Sequence, residues 1–209
     1  MDELAQAMKA MPALEGELVR KMMADGRVVE VPAGTELLHE GAYVHELPIL
    51  LEGLVRVFIG HEDKELLLYF IEPSDSCVMS FAAMTGRTPS RINAVAERPS
   101  KLLMVPEAKL RQWMREHPSL SELFFQQYHE RYNDMLHTVE QVAFGDLPTR
   151  LMDHLKRLKG VTGDELLDVR HARLAQELGS AREVITRTLR KLEDEGRIRQ
   201  LPGGIRVLG

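Results

Sequence analysis

Residues 171 to 196 read His171-Ala172-Arg173-Leu174-Ala175-Gln176-Glu177-Leu178-Gly179-Ser180-Ala181-Arg182-Glu183-Val184-Ile185-Thr186-Arg187-Thr188-Leu189-Arg190-Lys191-Leu192-Glu193-Asp194-Glu195-Gly196, two apolar periodicities parted by a glycine. Two helices that cross closely need a small residue inside the first, a residue free to turn between them, and an apolar residue inside the second. Ala175, Gly179 and Ile185 stand at those places, and Leu174, Leu178, Leu189 and Leu192 complete the packed faces. The spacing predicts a helix-turn-helix, with Ser180 and Glu183 placed as a capping box for the second helix.

That second helix leaves Arg182, Glu183, Thr186, Arg187 and Arg190 on its outer face. Arginine bonds bidentately to guanine O6 and N7 and glutamate accepts from cytosine N4, so the face suits a half-site containing G·C in the major groove of double-stranded DNA. Ser180 in the turn and His171 at the head of the first helix join it as candidate DNA contacts. After Gly196, the runs Ile198 to Leu201 and Ile205 to Leu208 flank Pro202-Gly203-Gly204, the pattern of a β-hairpin, and turn the motif into a winged helix-turn-helix. Charge agrees: the 209 residues carry a net charge of -5, yet residues 146–209 hold 13 Lys+Arg against 10 Asp+Glu. The basic excess thus sits where the motif is, and the acidic excess in the first two thirds.

Outward from the motif, Leu147, Leu151, Leu155 and Leu158 form an amphipathic helix expected to end at Lys159-Gly160, followed by a short strand at 166–169. Gly145-Asp146-Leu147-Pro148 marks a break, with Pro148 suited to a first helical turn and Asp146 or Gly145 to a cap. Before it, a helix from Ser119 to about Ala143 carries Leu120, Leu123, Phe124, Tyr128, Tyr132, Met135, Leu136, Val139 and Val142 by threes and fours. At about 37 Å it outruns the face of a small domain, so its outer part is expected to meet a second copy of itself. Leu120, Phe124, Tyr128, Leu136 and Val139 are the candidate dimerisation residues. A shorter helix from Pro106 to about Glu116 precedes it.

Residues 27–106 have a different texture. Short β-prone runs at 28–31, 36–39, 47–51, 54–59, 66–71, 91–96 and 101–105 alternate with turn clusters such as Pro32-Ala33-Gly34 and Glu52-Gly53. That rhythm predicts a sandwich or jelly roll. Leu4, Met8, Met11, Leu14, Leu18 and Met22, broken by Pro12, predict one or two short helices that cap it. The expected division is 1–116, 117–145 and 146–209.

Composition excludes several classes. With 44% hydrophobic and 28% charged residues, the chain reads as globular. No apolar run approaches membrane-spanning length and the N-terminus opens acidic, so a cytoplasmic protein without a membrane partner is expected. One cysteine, Cys77, precludes an intramolecular disulfide or an iron-sulfur cluster held by four thiolates. No metal-site spacing or nucleophile motif is found, so no catalytic residues are assigned, and neither an enzyme nor a metal site is expected.

The whole chain resembles the CRP/FNR superfamily of bacterial transcription regulators. The resemblance rests on Val31-Pro32-Ala33-Gly34-Thr35, Glu40-Gly41 and Leu50-Leu51-Glu52-Gly53-Leu54-Val55-Arg56-Val57 at one end, and on 179–187 and 189–193 at the other. It implies an α+β fold, with an N-terminal double-stranded β-helix (jelly-roll) sensor domain, a long dimerisation helix and a C-terminal winged helix-turn-helix. It further implies a homodimer on a palindrome, contact with RNA polymerase, and an effector pocket between roll and helix. Arg182, Glu183 and Arg187 match the Arg-Glu-x-x-x-Arg reading set of the cyclic-AMP receptor branch, implying a half-site related to TGTGA; Glu183 as a cap would leave the two arginines to specify.

The resemblance fails at the effector. Cyclic-nucleotide binders carry a Gly-Glu pair whose Glu takes the ribose, then an Arg-Ser pair for the phosphate; here Val78-Met79 stands at the former, and only Arg91 answers to the latter. Met135-Leu136 replace the hydroxyls that would meet adenine. A pocket of Met79, Phe81, Met84, Arg91, Met135 and Leu136 is mainly apolar, cyclic AMP is a poor fit, and the effector is unknown. Alternatives are a haem-based gas sensor, with His39, His45, His61, His129 or His137 as axial ligand, a redox sensor using Cys77, or a β-roll regulatory module without DNA binding.

Overall fold

The computed structural model describes residues 3–61, 64–73 and 75–208, with the backbone alone at 61, 64, 137 and 140–144. The side chains of His61, His137 and Val142 therefore lie outside the described residues. The chain divides into two compact units, Met1–Ile59 with Leu68–Asp134, and Gly60–Leu67 with Met135–Gly209.

The first unit opens with α1 (Glu3–Ala10) and α2 (Gly16–Asp25), the two caps expected on either side of Pro12. Strands β1 (Arg27–Val31), β2 (Glu36–Leu38), β3 (Glu46–Glu52), β4 (Val55–His61), β5 (Lys64–Ile71), β6 (Asn93–Ala96) and β7 (Ser100–Pro106) follow the β-prone runs. They form two sheets, ordered β1-β7-β3 and β2-β6-β4-β5. Pairing is antiparallel, with Val29 and Leu50 both opposite Leu102. The first sheet is buried on both faces: Leu47, Ile49, Leu51, Leu103 and Val105 pack with Ala7, Leu18, Val19 and Met22 of the capping helices, while Leu50 and Leu102 face the inside of the roll. Two-sided burial is why these strands read as unbroken apolar runs. Gly53 turns β3 into β4 at φ +104, and a Cβ there would stand 2.7 Å from Pro99 O.

One helix was not foreseen. α3 (Val78–Gly86) interrupts the strands; it is apolar on nearly every side, so no 3.6-residue periodicity betrays it. α4 (Glu107–Glu116) and the 27-residue α5 (Pro118–Phe144) match expectation closely.

In the second unit α6 (Leu147–Thr162) starts on Asp146, whose carboxylate accepts from Thr149 N at 2.9 Å. It runs past Gly160, the expected stop, because the left-handed residue that ends it is Gly163, at φ +70. α7 (His171–Glu177), α8 (Arg182–Asp194) and the hairpin β8 (Ile198–Leu201) and β9 (Gly204–Val207) complete the unit. Leu151, Leu155, Leu174, Ile185, Leu189 and Leu192 are buried together with Ile198 and Ile205. The strand expected at 166–169 reduces to one bridge, Leu167 to Ile205, where the hairpin backbone approaches so closely that a Cβ at Gly204 would meet the Leu167 carbonyl.

Candidate nucleic-acid interface

α7 and α8 meet as the motif requires: Ala175 and Ile185 are buried, and Gly179 takes φ +62 in the turn. The capping box does not form. Ser180 N donates to Ala175 O at 2.8 Å, so Ser180 belongs to the turn, and Ala181 caps α8 without a side-chain bond. Glu183, one residue too near the helix start to reach back, is exposed. The predicted face stands open, with Arg182, Glu183, Arg187 and Arg190 exposed and Thr186 half-buried. Arg182, Arg187 and Arg190 make no ion pair among the described residues, whereas Arg27, Arg111, Arg131 and Arg173 each hold a carboxylate. Positive charge left unneutralised on one helix face is what a phosphate backbone requires.

Behind the face lies a buried ionic cluster. His154 Nε2 of α6 and Glu177 Oε2 of α7 are 2.8 Å apart, and Arg173 Nε donates to the other carboxylate oxygen at 2.8 Å. Burial pushes the Glu177 carboxyl up, but the bonds from His154 and Arg173 outweigh it and hold it at about 2. The cluster locks the first motif helix to α6. At the motif's entrance, His171 Nδ1 sits 3.0 Å from Thr186 Oγ1, joining two predicted contacts across α7 and α8.

Two residues escaped the sequence reading. Arg199 and Arg206 are directly opposed in the β8–β9 register and both exposed. Like charges so placed are destabilising, a cost an anion between them would remove. The alternation of Ile198, Ile205 and Val207 with the two arginines was the available signal.

In the first unit the predicted pocket residues scatter. Met84 is 1% exposed in the cluster beneath the capping helices, and Phe81 stacks on Phe124 with ring centroids 4.4 Å apart. Met79 is half-buried and Arg91 exposed. The cavity inside the roll is lined instead by Leu37, Leu38, Leu50, Val55, Cys77, Ser80 and their neighbours, and measures about 20 Å³. Cys77 is buried there, its sulfur accepting from Ser80 N at 3.4 Å as the cap of α3. α5 is tied to the roll by polar contacts: Gln127 Oε1 accepts from Ser76 Oγ at 2.6 Å and Arg131 pairs with Asp75 at 3.1 Å.

The α5 stripe separates into two. Leu120 and Phe124, offered as dimerisation residues, are 0% and 5% exposed in their own chain's core. Phe125, not foreseen, is 76% exposed, and Tyr128, Tyr132, Met135, Leu136 and Val139 are exposed after it. Met135 and Leu136, assigned also to the effector pocket, lie past the Asp134 boundary of the first unit.

Against known proteins, residues 28–117 match the cyclic nucleotide-binding domain and 149–209 the Crp-like helix-turn-helix domain. The chain belongs to the CRP/FNR superfamily. A global nitrogen regulator of Synechocystis sp. is 29% identical over 155 residues, 69% of this chain and 68% of its own. The cAMP-activated global transcriptional regulator CRP of Pasteurella multocida is 25% identical over 78% of this chain and 81% of its own. Among solved structures, the c-di-GMP responsive global regulator CLP of Xanthomonas campestris superposes with TM-score 0.82 at 18% identity, covering 93% of this chain and 100% of that one. These CRP/FNR relatives are transcription regulators, not enzymes, and this chain is a DNA-binding regulator of their type. No described helix is long and apolar enough to cross a membrane.

A CRP/FNR roll invites a test of the groups the superfamily suggests. The cavity lined by Leu37, Leu50 and Cys77, at about 20 Å³, takes a water molecule but is too small for a cyclic nucleotide or a haem. His39, His45 and His129 are exposed and line no part of that cavity. Among the described residues no group of His, Cys, Asp and Glu is disposed to hold a metal.

Proposed function

We propose that this protein is a homodimeric bacterial transcription regulator, cytoplasmic, that seats one α8 in each half of a palindromic DNA site and answers to an effector other than cyclic AMP. The observation that carries the reading is the exposed face of α8, where Arg182, Arg187 and Arg190 have no carboxylate partner among the described residues. Arg182 and Arg187 read guanines, Glu183 accepts from cytosine, and Arg190 and Ser180 hold phosphates. Arg199 and Arg206 on the wing add a phosphate contact. The exposed apolar positions from Phe125 to Val139, spaced by threes and fours, support pairing with a second α5. RNA polymerase is the protein partner this arrangement serves.

The test is selection of binding sites from a randomised duplex pool, followed by titration of the enriched sequence. The expected result is a two-fold symmetric site with half-sites about one helical turn apart, bound by two chains and unaffected by cyclic AMP. Enrichment of no sequence would overturn the reading, and micromolar heat on titration with cyclic AMP would overturn its effector clause.

A further inference from the structure

We propose that His171 is a proton-coupled DNA contact: its Nε2 grips a phosphate oxygen only as the imidazolium, so each helix-turn-helix takes up a proton from solvent as it seats. The proposal rests on the DNA-binding reading above and specifies how that site is regulated.

Hydrogen-bond accounting fixes the ring. Thr186 Oγ1 lies 2.9 Å from Arg182 O, one turn back along α8, and 3.0 Å from His171 Nδ1. A hydroxyl carries one hydrogen. Both bonds are made when it donates to the Arg182 carbonyl and accepts from an Nδ1–H. The neutral ring then holds its hydrogen on Nδ1 and a lone pair on Nε2. Among the described residues Nε2 has no hydrogen-bond partner, and it is not one of the buried polar atoms lacking one, so it meets solvent.

A lone pair repels a phosphate oxygen, while a protonated Nε2–H makes a short, charge-assisted bond to it. Histidine is the side chain whose charge ordinarily changes between about pH 5 and 8, which makes it the group on this motif suited to a proton-coupled contact. The neighbouring charged groups are Arg170 and Arg173 beside it on α7, with Arg173 committed to Glu177, and Arg182, Glu183, Arg187 and Arg190 within a turn of Thr186 on α8. Arginines keep their charge throughout, and Glu177 is held by His154 and Arg173. Glu183 makes no bond to the ring. The sign follows: the added affinity is present at low pH and lost as pH rises.

The experiment measures dissociation constants of the full-length protein for its selected duplex between about pH 6 and pH 8 at constant salt, beside His171→Gln. Wild-type affinity is expected to fall with rising pH, by up to about tenfold per pH unit for each helix. His171→Gln, whose amide donates a hydrogen at every pH, is expected to bind with an affinity that does not follow this pH slope. Equal pH slopes in the two proteins would overturn the proposal while leaving the DNA reading standing; failure of both to bind at any pH would remove the two together. Nitrogen-15 spectra of the free wild type supply a measure independent of any variant. The Nδ1–H tautomer is expected, lost in Thr186→Val, and the Nε2–H tautomer in wild type would overturn the assignment.

Discussion

Replacing Arg182 or Arg187 by Ala is expected to cost roughly 1 to 3 kcal/mol per half-site and to flatten preference at a single base pair. Arg190→Ala should instead weaken every sequence alike and lower the salt slope by about one counterion. Binding to single-base variants at two salt concentrations separates the two. Uniform loss in Arg182→Ala would show that α8 does not read the groove in this way. Glu177 supplies a stability prediction of opposite character. Its carboxyl ionises at about 2 in the folded chain, below the ordinary 4.5. The cluster's contribution is therefore present above the ordinary value and lost as pH falls from there toward 2. The shift corresponds to on the order of 3 kcal/mol, and Glu177→Ala should lower the melting temperature at neutral pH but lose that deficit in acid. The sequence disclosed none of this: Glu177 and His154 are 23 residues apart, and only the packing of α6 on α7 makes them neighbours. Arg182 and its companions were legible because helical spacing alone sets them on one face.

At the scale of elements, α5 divides by roughly a quarter turn of helical phase into a stripe that packs inward and one that does not. Val139→Glu is expected to halve the mass seen by light scattering while circular dichroism stays unchanged. Leu120→Ala, at a buried position, should leave association intact and cost about 2 to 5 kcal/mol of stability. A dimer surviving Val139→Glu would remove α5 as the seam. Both stripes step by threes and fours, which is why periodicity placed the helix correctly and assigned Leu120 and Phe124 to the wrong stripe. Gly53→Ala is expected to be among the most damaging single-methyl additions, since a left-handed backbone and the nearby Pro99 carbonyl oppose it together. Chemical denaturation would read the loss. The missing 166–169 strand and the unforeseen α3 share a cause, for short apolar runs do not declare their secondary structure until neighbours supply or withhold hydrogen-bond partners.

At the scale of the molecule, acidic residues gather in the first two thirds and basic residues in the last, so affinity for DNA of any sequence should reside in residues 146–209. Raising salt should weaken that affinity steeply; a salt-independent association would contradict it. The succession of roll, long helix and winged motif was legible in the chain, because strand rhythm, helical period and turn residues are local properties that survive without tertiary context. The open face of α8 was legible too, since helical spacing alone sets Arg182, Glu183, Arg187 and Arg190 on one side. What fills the interior came from long-range packing instead: which residues line the small cavity of the roll, that Met84 and Phe81 support the capping helices, that Cys77 caps α3, and that His171 is bonded to Thr186. Those outcomes depend on which distant surfaces exclude water from one another, and contacts of that kind leave no periodic trace in the chain.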